Sequence, residues 1–147
     1  YVEIKNSFSD GIDIDFSKLR LKKINVENST NDCSDFSYGE YYVENAKLKN
    51  CGDKGISVGE KSKFTIKNFK IENALIGAVS KDSSDVLLEN GEILNNESHC
   101  MAAYNKKQEF EGGSLLYNKV YCDKNFFFND ANSNILNNEK WNKIYFK

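Results

Sequence analysis

Short alternations of apolar and polar residues run along the chain and return at a fixed interval. The clearest marker is an apolar residue, any residue, then asparagine. It occurs as Ile4-Lys5-Asn6, Val26-Glu27-Asn28, Leu48-Lys49-Asn50, Ile71-Glu72-Asn73 and Ile93-Leu94-Asn95. These asparagines lie 22, 22, 23 and 22 residues apart, and Tyr121-Cys122-Asp123 reads as a sixth copy after a step of 28. A second column holds small residues: Gly11, Cys33, Gly55, Gly77 and Cys100. Each leads a short run, Ile12-Asp13-Ile14-Asp15-Phe16 being the most regular. A third column of alternating pairs lies between them: Leu19/Leu21, Tyr41/Val43, Phe64/Ile66, Val86/Leu88 and Ser114/Leu116. A period of two marks a strand with one buried face. Each repeat therefore predicts three short strands in one order. An insertion around residues 108–113, before the second strand, takes up the long last step.

Three strands in 22 residues, with no helical stripe, predict an all-β fold: a right-handed parallel β-helix of about five to six coils. The coils are expected over residues 1–128, with a capping tail over 129–147. Stacked coils lie about 4.8 Å apart. Ile12, Ser34, Ile56, Ala78 and Met101 should form one inward ladder, and Ile14, Phe36, Val58, Ser80 and Ala103 the next. One coil cannot bury its own inner face, so stability comes mostly from stacking on neighbours. Asparagine suits the turns because it tolerates left-handed geometry and its amide bonds along the column. In the tail, Trp141 and Ile144-Tyr145-Phe146 are expected to plug the last coil, with sugar stacking by Trp141 as the alternative. Tyr1–Ser9 give the first coil little cover, which favours an upstream domain.

These features resemble the right-handed parallel β-helix repeat family, whose enzymes look like pectate lyases. Residues 10–16, Asp-Gly-Ile-Asp-Ile-Asp-Phe, are similar to its bacterial surface-protein branch, as are 52–59, Gly-Asp-Lys-Gly-Ile-Ser-Val-Gly, and 76–84, Ile-Gly-Ala-Val-Ser-Lys-Asp-Ser-Ser. The resemblance implies an extracellular or cell-surface location and contact with polysaccharide. It does not imply one activity, because adhesins, tail spikes and scaffolds share this architecture.

Composition narrows the field. Twenty basic and twenty-two acidic residues give a net charge of −2, which offers no footprint for nucleic acid. No apolar run approaches the roughly 20 residues of a spanning helix. Ten Phe and eight Tyr exclude wholesale disorder. Four cysteines, Cys33, Cys51, Cys100 and Cys122, show no metal-binding spacing. They read as isolated small buried residues, with at least one disulfide as the alternative. Cys33 and Cys100, three coils apart, should not pair with each other.

Candidate chemistry lies on the outer face of the first strand of each coil. If Ile12 and Ile14 point in, Asp13 and Asp15 point out and Asp35 stacks on Asp13. Asp10 and Asp32 sit at the adjoining turn. Stacked carboxylates repel unless protonated or bridged by a cation. Asp13, Asp15 and Asp35 thus read as a solvated patch, as a Ca²⁺ site, or as a catalytic pair. No other cofactor is expected. Further along the same side, Lys81, Tyr104 and Lys106 pair ammonium groups with an aromatic ring, a combination that suits an anionic sugar. His99 beside Cys100 invites a nucleophile reading, but neighbouring strand residues diverge, and a turn histidine is expected. The sequons at Asn28 and Asn96 matter only on a eukaryotic secretory route.

The inventory predicts a non-catalytic β-helix domain of a secreted or cell-surface protein, acting as scaffold or glycan-contacting module. The alternatives are a polysaccharide lyase or hydrolase with an acidic groove, and a subunit that self-associates end to end into a fibre.

Overall fold

The computed structural model describes residues 1–138, in which thirteen strands wind into an all-β parallel solenoid of about six turns. They are β1 (Val2–Ser7), β2 (Ile12–Asp15), β3 (Lys18–Ser29), β4 (Ser34–Ser37), β5 (Glu40–Gly59), β6 (Lys63–Lys81) and β7 (Asp85–Leu88), then β8 (Gly91–Leu94), β9 (His99–Tyr104), β10 (Ser114–Tyr117), β11 (Val120–Cys122), β12 (Phe127–Asn129) and β13 (Asn134–Asn137). β5 and β6 are long because they turn corners without losing their pairing.

Three faces result. The first stacks β1, the second half of β3, the middles of β5 and β6, then β8 and β11. The second stacks β2, β4, the ends of β5 and β6, β9 and β12. The third stacks the starts of β3, β5 and β6, then β7, β10 and β13. Every pairing is parallel, as coil-on-coil stacking requires.

Both inward ladders of the second face stand in register. Ile14 pairs with Phe36, Phe36 with Val58, Val58 with Ser80, and Ser80 with Ala103. Phe36 is fully buried, its ring centroid 4.9 Å from those of both Tyr41 and Phe64. Glycine supplies room here, not an unusual backbone. A Cβ on Gly77 would collide with Ile93, and no glycine has a positive φ.

The left-handed corners belong to asparagine. Asn6, Asn28, Asn50, Asn73 and Asn95 have φ of 62, 63, 57, 58 and 56°. Asn28 Nδ2 donates to Asn6 Oδ1 (2.9 Å), Asn50 to Asn28 (2.8 Å) and Asn73 to Asn50 (2.8 Å).

The last full coil departs from the sequence expectation by one residue. Leu115 and Tyr117, not Ser114 and Leu116, stack on Val86 and Leu88. Likewise Cys122, not Tyr121, stacks on Ile93, leaving Tyr121 exposed. A one-residue slip exchanges the two faces of a strand, and the insertion between Tyr104 and Ser114 hides that slip from simple counting. Nor does the coil pattern stop at residue 128: β13, within the expected tail, pairs with β10. Trp141 and residues 144–146 lie outside the described residues.

The cysteines are not isolated. Cys33 bonds to Cys51 and Cys100 to Cys122. Cys33 and Cys100 do not pair with each other, as coil spacing demanded. Spacing along the chain could not reveal the partners because each bond joins two different columns of the repeat. Winding brings those columns together.

Candidate functional site on the second face

Aspartate does much of the work of joining one coil to the next. Asp10 Oδ1 accepts from Asp32 N (3.0 Å) and Asn31 Nδ2 (2.8 Å). One coil on, Asp32 Oδ1 accepts from Lys54 N (2.9 Å). Asp82, fully buried, receives Lys106 N (2.7 Å) and Lys107 N (2.8 Å) and so anchors the insertion. Asp123 and Asp130 accept in the same way from the backbone N–H groups of Asn95 and Asn105. Sequence reasoning missed this role. Its signal was there: Asp10 and Asp32 lie one repeat apart, at a turn.

On the outer surface, Asp13 is in register with Asp35, and Asp35 with Ser57. Carboxylate oxygens of Asp10, Asp13 and Asp35 lie within 4.8 Å of one another. Asp15 stands in register with Ser37, outside that trio, so Asp10 completes the group where the sequence suggested Asp15. Asp35 Oδ1 is buried without a hydrogen-bond partner, and so is the Ser57 hydroxyl.

Burial raises the carboxyls of this region. Desolvation pushes Asp32 up to about 6, against the hydrogen bond and charge of Lys54. Asp13 is raised by burial and then by the charges of Asp15, Asp35 and Asp10. Asp35 is raised by burial, with the charge of Lys81 and the nearby Ser57 hydroxyl pulling the other way. Glu60 moves down: burial opposes this, but hydrogen bonds with Ser37 and Lys107 and the Lys107 ammonium at 2.9 Å prevail.

The residues suggested for sugar contact occupy varied settings. Lys81 is 7% exposed, and its stem packs over Gly59, from where its charge acts on Asp35 and Glu60. Tyr104 is half-buried, 6.4 Å from the Phe128 ring and within electrostatic reach of Lys54. Lys106 is exposed, its backbone held by Asp82. Lys54 Nζ reaches Asp53 (2.7 Å) and Asp32 (3.8 Å). A lysine stem laid over a sheet in this way covers apolar surface beneath it. Ser57, Val79 and Ala102 are almost wholly buried although they alternate with the inward ladder residues.

His99 is a strand residue, not a turn residue. It pairs with Ile76, its Nδ1 lies 2.6 Å from Ser98 Oγ, and its ring contacts Phe128. Cys100 is in a disulfide and is no nucleophile. Of the two sequons, Asn28 is exposed and Asn96 is buried. No helix among the described residues is long and apolar enough to cross a membrane.

Compared with protein-family models, with curated proteins and with solved structures, the chain matches none.

Proposed function

We propose that the chain is a non-catalytic β-solenoid domain of a secreted or cell-surface protein, a stiff scaffold whose outer faces contact glycans. The observation that carries this reading is the employment of the polar groups on the second face. The aspartates hold backbone amides of the next coil, and the half-buried Lys54 and buried Lys81 offset carboxylates. A working acid and base would have to be free to exchange protons with substrate. Two disulfides support an oxidising compartment, and the long parallel stack supports stiffness. Incubation with polygalacturonate, followed by assay for unsaturated products and new reducing ends, should detect neither. Turnover above a denatured control would sink the non-catalytic reading. Thiol labelling of denatured protein collected from its native source should find no free cysteine. Full labelling would argue against secretion.

A second reading is favoured by the trio of Asp10, Asp13 and Asp35. Three carboxylates, with the Ser57 hydroxyl in register beside Asp35, are a hard-oxygen donor set that fits Ca²⁺. Bound there, the ion would present a positive centre to an acidic polysaccharide, as in a lyase or hydrolase groove. On this reading Ca²⁺ at a hundredfold excess over Kd stabilises the chain by about 2.7 kcal/mol. Asp13→Asn with Asp35→Asn would remove that gain. A melting curve that millimolar Ca²⁺ does not move disposes of the metal site. End-to-end fibre formation is a third reading, favoured by exposed Phe8 and Phe16 at one end and Phe126 at the other. Electron microscopy showing only short single particles would reject it.

A further inference from the structure

Charge is matched from coil to coil almost everywhere. One outer column runs Lys18, Glu40, Lys63, Asp85 and another runs Lys5, Glu27, Lys49, Glu72, each neighbour opposite in sign. Among the described residues only two registered pairs have like charges. One is Asp13 with Asp35, on the second face. The other is Lys47 with Lys70, on the first. Like charges directly opposite each other destabilise a sheet. Lys47 has no ion pair within 4 Å among the described residues, whereas Lys70 lies 3.6 Å from Glu72 on its own strand and in register with Glu92 on the next coil, so the unmatched charge centres on Lys47.

The lysine pair stands in a groove of about 430 Å³ lined by Lys23, Asn25, Asn45, Lys47, Asn68 and Lys70, with no carboxylate among its walls. Asn25 Oδ1 is buried there without a hydrogen-bond partner. The groove continues through shared Asn68 into a neighbouring hollow of about 360 Å³ that adds Lys67, Asn90, Asn118 and Lys119 and one carboxylate, Glu89. We infer that this groove binds a linear acidic polysaccharide, running across the coils of the first face. Carboxylate or sulfate groups on the polymer would relieve the lysine repulsion, and the amides offer the mixed donors and acceptors that sugar hydroxyls need. One aromatic residue, Phe69, also lines the groove, but it is only 6% exposed and offers little face on which a base could stack, and the chain's single arginine, Arg20, lies elsewhere. Both facts favour a glycan over a nucleic acid.

This inference deepens the glycan-contacting reading and rests on it. Binding of the whole chain to polygalacturonate, chondroitin sulfate, dextran and single-stranded DNA would be measured by calorimetry at low and physiological salt. Lys47→Gln with Lys70→Gln should weaken binding to an acidic polymer about tenfold, flatten its salt dependence, and leave the melting temperature unchanged or raised. Lys18→Gln with Lys63→Gln removes the same charge from the third face and should change affinity less than about threefold. Equal losses in the two variants, or DNA bound as tightly as the glycans, would overturn the inference. Binding that survives in the Lys47/Lys70 variant rejects the groove but keeps the glycan-contacting module. If the parent chain binds no polymer, the wider reading falls with the groove.

Discussion

Asn50 shows how much one residue can carry in a repeat. Its φ of 57° belongs to the left-handed region, and its amide donates to Asn28 while accepting from Asn73. Alanine there loses both hydrogen bonds and strains the backbone, a loss of about 2–3 kcal/mol. Glycine loses the hydrogen bonds alone, so Asn50→Gly should be the milder change. Denaturant unfolding of the two variants separates ladder bonding from backbone geometry. If glycine proves as damaging as alanine, the ladder bonds outweigh the φ requirement. Phe36 tests packing instead. It is fully buried between two rings, and Phe36→Ala should cost about 3–5 kcal/mol. A loss below about 1 kcal/mol would mean that neighbouring coils collapse into the space.

At the scale of strands and corners, covalent closure can be separated from stacking. The Cys33–Cys51 bond closes a loop with a sequence separation of 18, so Cys33→Ala with Cys51→Ala should destabilise by about 3 kcal/mol on loop-entropy grounds. A denaturation midpoint equal to that of the parent would show that stacking already fixes this corner. The same scale explains what was legible in the chain. Strand order, coil length and the first five corners could be read because asparagine recurs where φ is positive, from Asn6 to Asn95. The corner after the second face could not. It also has positive φ, but at Phe16, Tyr38, Glu60, Lys61, Asp82 and Ser83, which share no residue type. Stacking holds part of that corner: the Phe16 and Tyr38 rings lie parallel, 4.5 Å apart. A second asparagine column, in which Asn90 donates to Asn68 (3.0 Å), was hidden because Asn118 and Lys119 interrupt its spacing after the insertion. At the candidate site, the pairing of Asp13 with Asp35 followed from strand alternation. The arrival of Asp10 and the burial of Lys81 did not, since both depend on side chains crossing from a turn or a neighbouring coil.

For the molecule as a whole, the clustered carboxyls predict an unusual response to acid. Asp32 has a folded value of about 6 against 3.8 for the free side chain, and Asp13 and Asp35 move in the same direction. Between those limits the folded chain keeps protons that the unfolded chain has released. Folding therefore takes up protons in this window, and the contribution of these groups to stability grows as pH falls from above 6 towards 4. Asp32 alone supplies at most about 3 kcal/mol of this change. Glu60 and Asp130 work in the opposite sense, because both carboxyls lie below their ordinary values. Their contribution is present at neutral pH and disappears only below about 4. Together these groups place the maximum of stability on the acid side of neutrality, near pH 5. Asp32→Asn keeps an oxygen for the Lys54 amide while removing the titrating charge. That variant should be at least as stable as the parent at pH 7.5 and should gain less on acidification. Chemical denaturation at half-unit steps from pH 4 to 8 would measure both curves. If the parent loses stability steadily from pH 7 to 5, the Asp32 carboxyl is already ionised across that range, and the Lys54 ammonium outweighs its burial.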